Sequence, residues 1–371
     1  MRVAFDATPL LGNRTGVATL TGGLLRALVG VPNVEPVAYA LSARGAWRLH
    51  DVVPPGVAAC RRPLPATLLT RAWQKWDRPR VETLVGSVDV VHGTNFVVPP
   101  TKRAGAVVTV HDLAALRFPD LVEPASRRYP PAVSRAVRDG ALVHVTTRAV
   151  ADDVVELLGV EPDRVRVVAS GVDAPRGGDP EAGRRLAGAE RFVLALGTVE
   201  PRKALPDLVR AFDLVAERDG LRDVALVLAG PDGWGTDALL AAVDSSPARR
   251  RIRRLGRVDD ADRADLLAGA TLLAMPSRDE GFGYPPLEAM AAGLPVVATT
   301  AGALRESIGD AGVLVAPGDV DALAEAIAEV LTSDDARERL VEAGRERVAR
   351  FSWESFARGM AVVYRDALEA R

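Results

Sequence analysis

Residues Glu280-Gly-Phe-Gly-Tyr-Pro-Pro-Leu-Glu288 place a carboxylate at each end of a stretch suited to starting a helix. Gly281 and Gly283 let the backbone come close to a bound molecule. Pro285 and Pro286 fit the first turn of a helix that continues through Leu287, Ala289 and Met290. Amides at such a helix start, helped by the helix dipole, suit a diphosphate. Glu280 from the loop and Glu288 from the first helical turn can each accept hydrogen bonds from sugar hydroxyls. The other reading of the same residues is a capped helix flanked by two solvated glutamates.

Arg202 and Lys203 form a second candidate. The chain has 44 arginines but only three lysines, Lys75, Lys102 and Lys203, so a lysine in such a turn stands out. Two adjacent cations match the negative charge that builds on a departing nucleoside diphosphate. A solvated helix start is the alternative, although cations there oppose the dipole. His111-Asp112 follows an apolar run, so the imidazole is placed to meet a sugar or its scissile oxygen, with a structural histidine as the ordinary alternative. His50, His92 and His144 read as structural. Gly12-Asn-Arg-Thr-Gly16 is a candidate phosphate cradle. It lacks the G-x-G-x-x-G spacing of a dinucleotide site, and no acid follows the second strand, which disfavours a dehydrogenase. No histidine pair, zinc, EF-hand or Walker spacing marks a metal site, so none is expected.

These residues follow short apolar runs: Val3–Phe5, Val34–Ala40, Val88–Val91, Ala106–Val110, Leu142–Val145 and Val165–Val168, then Phe192–Leu196, Val224–Leu228, Thr271–Met275, Leu294–Ala298 and Val313–Val315. Near-continuous apolar strands separated by helices predict parallel sheets covered on both faces, an α/β architecture. Helical stripes lie between them, as in Val17, Leu20, Leu24, Leu25 and Leu28, or Leu205, Leu208, Val209, Phe212 and Val215. The Pro/Gly/Asp-rich stretch Asp173–Gly183 reads as a linker. The expectation is two doubly wound domains, 1–172 and 173–352. Ligands in such sheets bind beyond the carboxyl ends of the strands, so polar turns from both halves would face one cleft.

A chain of 371 residues fits two cores. Its net charge of −2 excludes a dedicated nucleic-acid binder. One cysteine, Cys60, and the absence of an apolar leader or spanning run point to a cytoplasmic protein. Residues 44–80 are different: seven arginines and Lys75 against Asp51 and Asp77 give 8 − 2 = +6, with Trp47, Trp73 and Trp76 in the same window. That mixture suits an anionic membrane surface, placing the protein peripherally on the inner face of the plasma membrane; an ordinary surface helix is the alternative. The run Arg249–Arg254 reads as solvating a helix end.

With these residues in place, the chain resembles the retaining family-4 glycosyltransferases of the GT-B fold, and among them the bacterial mannosyltransferase-B-like branch. The resemblance rests on "FDATPLLGNRTGV", "TVHDLAALRFPD", "ALGTVEPRKALPDLVRAF", "SRDEGFGYPPLEAMAAGLPVVAT" and "RFSWESFARGMAVVYRDAL", in that order along nearly the whole chain. It implies two Rossmann-like domains facing each other across a cleft, the first rejoined by a closing helix, 353–371. It implies that Glu280 contacts the transferred sugar and Glu288 the donor ribose. Gly281, Phe282, Gly283 and Tyr284 would hold sugar hydroxyls through their amides, with Leu287 beside them. Arg202 and Lys203, helped by Gly16, would bind the diphosphate, and His111 would sit by the reacting carbon. No metal or cofactor is implied. The reaction would move a hexose, mannose from GDP-mannose foremost, to a glycan or lipid-linked acceptor of a cell-envelope polysaccharide, with retention. Ala204 departs from an expected asparagine, Ser170 from a proline or asparagine, and "VTTRAVADDV" from a serine-rich segment. "GYPPLE" replaces Gly-Leu-Pro-Val-Leu-Glu, so Tyr284 bears on sugar choice. A sugar-nucleotide epimerase on the same fold and a non-catalytic sugar-nucleotide-binding protein are the alternative functions.

Overall fold

A computed structural model of the chain describes residues 1–12, 15–60, 62–63, 65–175 and 177–370; for residues 74 and 75 only the backbone is described. Asn13 and Arg14 of the first glycine loop therefore lie outside the described residues. Cα proximity divides the chain into two compact units, one made of Met1–Arg117, Pro124–Gly171 and Phe351–Arg371, the other of Phe118–Glu123 and Val172–Arg350.

The first unit is a seven-stranded sheet of β1 (Arg2–Asp6), β2 (Glu35–Tyr39), β3 (Ala58–Ala59), β4 (Val90–Gly93), β5 (Gly105–Thr109), β6 (Leu142–Val145) and β7 (Val165–Val167). Its order is β3-β2-β1-β4-β5-β6-β7, and every pairing is parallel. The second unit holds β8 (Phe192–Leu196), β9 (Ala225–Ala229), β10 (Ile252–Gly256), β11 (Leu272–Met275), β12 (Val296–Thr299) and β13 (Val313–Val315). They pair in parallel in the order β10-β9-β8-β11-β12-β13. The strand order reverses between β1 and β4 in one sheet and between β8 and β11 in the other. A doubly wound sheet opens its ligand crevice at these two points.

Each apolar run of the sequence carries a strand, and most of these strands are central and covered on both faces; β8 and β9 are buried throughout. The runs do not mark β3 and β10. Both are sheet edges, where one side meets solvent and an apolar run is not needed. β10 also corrects the reading of Arg249–Arg254 as a helix-end solvator: Arg249–Arg251 is a 3-10 turn, and the chain from Ile252 is strand. One member does serve a helix end. Arg251 donates to the carbonyls of Ala216 at 2.8 Å and Leu221 at 3.1 Å, and its guanidinium lies over the Phe212 ring.

The helix Gly16–Leu28 buries Leu20, Leu24, Leu25 and Leu28, and its first turn is capped by Thr15, which accepts from the Ala18 amide. The closing helix Trp353–Glu369 belongs to the first unit, packing on Gly16–Leu28 and on β5. Trp353 fits only because glycine receives it on two sides. A Cβ at Gly23 would come within 2.2 Å of its ring and one at Gly171 within 2.4 Å.

A polar chain pins the same helix to the sheet. The Val168 carbonyl can only accept, so His144 Nε2 donates to it at 3.0 Å and His144 Nδ1 must accept from Thr109 Oγ1 at 2.9 Å. Thr109 then accepts from His92 Nε2 at 2.7 Å, and His92 Nδ1 accepts from the Tyr364 hydroxyl at 2.9 Å. One carbonyl thus fixes every proton along the line. Burial lowers His144 to about 4, the Val168 bond opposing and His111 adding to the effect. Burial also drives His92 well below its ordinary value, His144 and His111 adding to the effect. Both rings are neutral, which is the structural role the sequence reading gives them.

Candidate active site

In the second unit the turns after β8 and β11 flank the point where strand order reverses. Arg202 and Lys203 lie in a 3-10 turn, Pro201–Lys203, that precedes the helix Leu205–Ala216. Ala204 joins them at φ 49°, in the left-handed region, and caps the helix with no side-chain bond. An asparagine suits this conformation better than alanine does.

The turn after β11 brings Glu280 to these cations. Lys203 Nζ pairs with Glu280 Oε1, Arg202 Nη1 lies 3.4 Å from Oε2, and Ser277 Oγ donates to Oε1 at 2.8 Å. Glu280 is only 7 % exposed. Burial pushes its carboxyl up, but Lys203 and Arg202, with hydrogen bonds from Lys203 and Ser277, outweigh it and hold it below the usual range. Arg202 also donates to the Asp279 carbonyl at 2.6 Å, and the Arg278 amide donates back to the Arg202 carbonyl at 2.8 Å, tying the two turns together.

A third turn braces the loop from behind. Thr299 at the end of β12 donates to the Ser277 carbonyl at 2.5 Å, and the Ala303 amide donates to the Glu280 carbonyl at 2.8 Å. Gly302 makes this approach possible: at φ 51°, any Cβ would sit 2.4 Å from Glu280 O and 2.8 Å from Glu280 N. The site is therefore held before any ligand arrives, which is what electrostatic stabilisation requires.

Gly283, at φ 82°, starts the helix Tyr284–Ala291, with Pro285 and Pro286 in its first turn. Phe282 and Tyr284 meet edge to face at 4.9 Å, and Leu287 is wholly buried, its side chain facing the core. Glu288, 7 % exposed, is not joined to the Lys203 cluster; it pairs with Arg263 on the helix Asp260–Gly269. Beyond β8 a shallow recess, partly open to solvent, is lined by Gly197, Thr198, Lys203, Pro276 and Ser277.

In the first unit His111 follows β5. Its Nε2 donates to the Thr94 carbonyl at 2.8 Å, which leaves Nδ1 with the lone pair. Burial lowers its pKa, against the opposing Thr94 bond and Asp112. Thr94 in turn donates through Oγ1 to the Asp6 carbonyl at 2.5 Å. His111 and the end of β1 thus share one edge of the sheet. Gly16 is exposed at the first position of its helix.

The sequence reading passes over several of these residues, among them Glu200, Arg263, Gly302 and Asp6. Glu200 contacts Arg202 at 3.3 Å, and Arg263 pairs with Glu288. Gly302 buttresses Glu280. Asp6, 4 % exposed at the end of β1, has its carboxyl raised to about 6 by burial, with hydrogen bonds to Thr8 opposing. Only Asp6 carries a sequence signal, an acid directly ending an apolar strand.

Residues 44–80 expose Trp47, Leu68 and Trp76, each 66 %, while Trp73 is buried and donates to the Pro79 carbonyl at 2.9 Å. Arg71 and Arg78 are exposed; the side chain of Lys75 is outside the described residues. No helix among the described residues is long and apolar enough to cross a membrane.

Two family models match the chain. "Glycosyltransferase Family 4" covers residues 14–176 and "Glycosyl transferases group 1" residues 182–347. The O-antigen chain mannosyltransferase B of Escherichia coli is 32 % identical over 72 % of this chain and 71 % of its own length. The chain belongs to the family-4 glycosyltransferases. It is a glycosyltransferase of GT-B type by fold as well. Sucrose-phosphate synthase from Thermosynechococcus elongatus aligns over 100 % of this chain and 99 % of that one, with a TM-score of 0.76 and 21 % identity. Anabaena HepE in complex with UDP-glucose aligns over 98 % and 99 %, with a TM-score of 0.72 and 19 % identity. At those identities the two structures speak for the fold alone.

Proposed function

We propose that this glycosyltransferase moves a hexose with retention from a nucleoside-diphosphate sugar, mannose from GDP-mannose foremost, to a glycan or lipid-linked acceptor. The observation that carries this reading is the contact of Lys203 and Arg202 with Glu280 where strand order reverses. Two cations and one carboxylate at that point match a donor whose diphosphate and sugar must be held side by side. Arg202 and Lys203 take the diphosphate as its charge grows, and Glu280 turns to a sugar hydroxyl. The leaving phosphate assists removal of the acceptor's proton. Glu288 receives the ribose, and Gly281–Tyr284 line the sugar. Arg202 and Lys203 supply positive charge for the diphosphate, and the proposed reaction uses no metal.

Mannose is favoured by the Escherichia coli relative, a mannosyltransferase. The HepE complex with UDP-glucose makes uridine donors the first competitor. A thermal-shift screen of GDP-, UDP-, TDP- and ADP-sugars tests the choice. One base should stabilise the protein by about 2–3 kcal/mol near saturation, and a response to UDP-sugars alone would replace mannose from GDP-mannose as donor. Proton NMR of the product anomer and assay in chelator test retention and metal independence. Conversion of donor alone, without acceptor, would instead mark an epimerase.

Residues 44–80 support a further part of the proposal, docking on an anionic bilayer through exposed Trp47, Leu68 and Trp76 beside arginines. Sedimentation with phosphatidylglycerol vesicles should weaken when Arg71, Lys75 and Arg78 are neutralised. No binding at low salt would end it.

A further inference from the structure

The diphosphate site contains one carboxylate more than its chemistry needs. Glu200 stands just before the turn Pro201–Lys203 and reaches Arg202 Nη2 at 3.3 Å. Glu280 approaches the other arm of the same guanidinium, Nη1, at 3.4 Å. Both Glu200 and Arg202 are largely withdrawn from water, their side chains 18 % and 14 % exposed, so their charges are weakly screened. Two cations thus face two carboxylates before any donor binds. Glu280 has a use when donor arrives, since a sugar hydroxyl can replace the cations it gives up. Glu200 has none.

We propose that Glu200 is a counter-ion that competes with the donor diphosphate for Arg202, and that its charge sets both the affinity for nucleotide sugars and the pH dependence of that affinity. This rests on the donor reading of Arg202 and Lys203. In the empty protein Glu200 holds the guanidinium in place. When a diphosphate occupies Arg202 and Lys203, Glu200 lies beside added negative charge in a poorly screened place. It either repels the ligand or takes up a proton.

On its own turn Glu200 faces Arg202 and Lys203, and from the turn after β11 it faces Glu280. The segment Gly230–Gly235 packs on Val199–Pro201, the Val199 amide donating to the Pro231 carbonyl at 3.0 Å. The Gly235 amide donates to the Val199 carbonyl at 3.1 Å. The acid of that segment, Asp232, is paired with Arg254 at 2.5 Å. Burial already lifts the Glu200 carboxyl, Arg202 and Lys203 pulling it down and Glu280 adding to the lift. A bound diphosphate lifts it further. A group whose pKa is higher in the complex than in the free protein makes binding tighter as pH falls.

Calorimetric titration with GDP-mannose and UDP-glucose tests this, because neither ligand carries a terminal phosphate that titrates near neutrality. Wild type should bind the accepted donor progressively more tightly as pH is lowered from about 8 toward the carboxylate range. Glu200→Gln should bind about tenfold more tightly than wild type at the higher pH and show no such dependence. Glu200→Asp keeps the charge and should keep the dependence, which separates charge from loss of packing. Thermal melting checks that each variant is folded. Equal or weaker binding by Glu200→Gln, or a pH dependence it fails to remove, would overturn the inference and leave the donor reading standing. If wild type bound no nucleotide sugar at all, the donor reading would fall and this inference with it.

Discussion

Lys203 and Glu280, 77 residues apart in sequence, form a buried ion pair that joins the turn after β8 to the turn after β11. Glu280 is ionised there despite its burial, because the attraction of Lys203 and Arg202 exceeds the cost of desolvation. A diphosphate that takes over the two cations leaves Glu280 in need of a new partner, and a sugar hydroxyl supplies one. Glu280→Gln should therefore lose about 2–4 kcal/mol of transition-state stabilisation, read as kcat/KM. Wild-type kcat/KM in this variant would remove Glu280 from the reaction.

The buttress at Gly302 can be tested apart from the charges. Gly302→Ala forces a side chain into the left-handed region and against the Glu280 backbone. Loss of about 1–3 kcal/mol of stability is expected, with turnover reduced because Glu280 shifts. A variant with unchanged melting and unchanged turnover would show that the brace from β12 does not hold the loop.

Ala204 offers the opposite outcome. At φ 49° its Cβ is strained, and no side chain caps the following helix. Ala204→Gly should stabilise the protein by about 0.5–1 kcal/mol, visible as a midpoint a few degrees higher in thermal denaturation. Destabilisation would mean that the buried methyl contributes more by packing than the backbone loses by strain.

The chain from Tyr364 to Val168 makes stability depend on pH. His144 titrates at about 4 in the fold and near 6.5 in the unfolded chain, so its contribution is complete above about pH 6.5 and is lost as pH falls toward 4. The loss from this residue is about 3 kcal/mol, and His92, also lowered, adds to it. Urea titrations at stepped pH should show this slope, and His144→Asn should flatten it. An unchanged slope in His144→Asn would place the acid sensitivity elsewhere.

The sequence displays what depends on neighbours in the chain. Buried central strands need continuous apolar runs, a helix start needs Pro285 and Pro286, and three lysines in the whole chain draw attention to Lys203. Two of the four edge strands, Ala58–Ala59 and Ile252–Gly256, escape notice because solvent relaxes the need for an apolar run. Partners brought together by topology leave no local trace. Glu288 finds Arg263 on another helix, and His92 finds Tyr364 from 272 residues away. Glu200 is passed over for a different reason. It lies two residues from Arg202 but reads as part of an ordinary turn until Glu280 is seen on the other arm of the guanidinium.

The central claim is that Lys203 holds the donor diphosphate. Its most direct measure is the dissociation constant of the accepted nucleotide sugar for wild type and for Lys203→Ala, by calorimetry at neutral pH. Weakening of at least about tenfold, with the melting profile still cooperative, is the predicted result. Equal affinity in the two proteins would contradict it and would return the Lys203–Glu280 pair to a purely structural role.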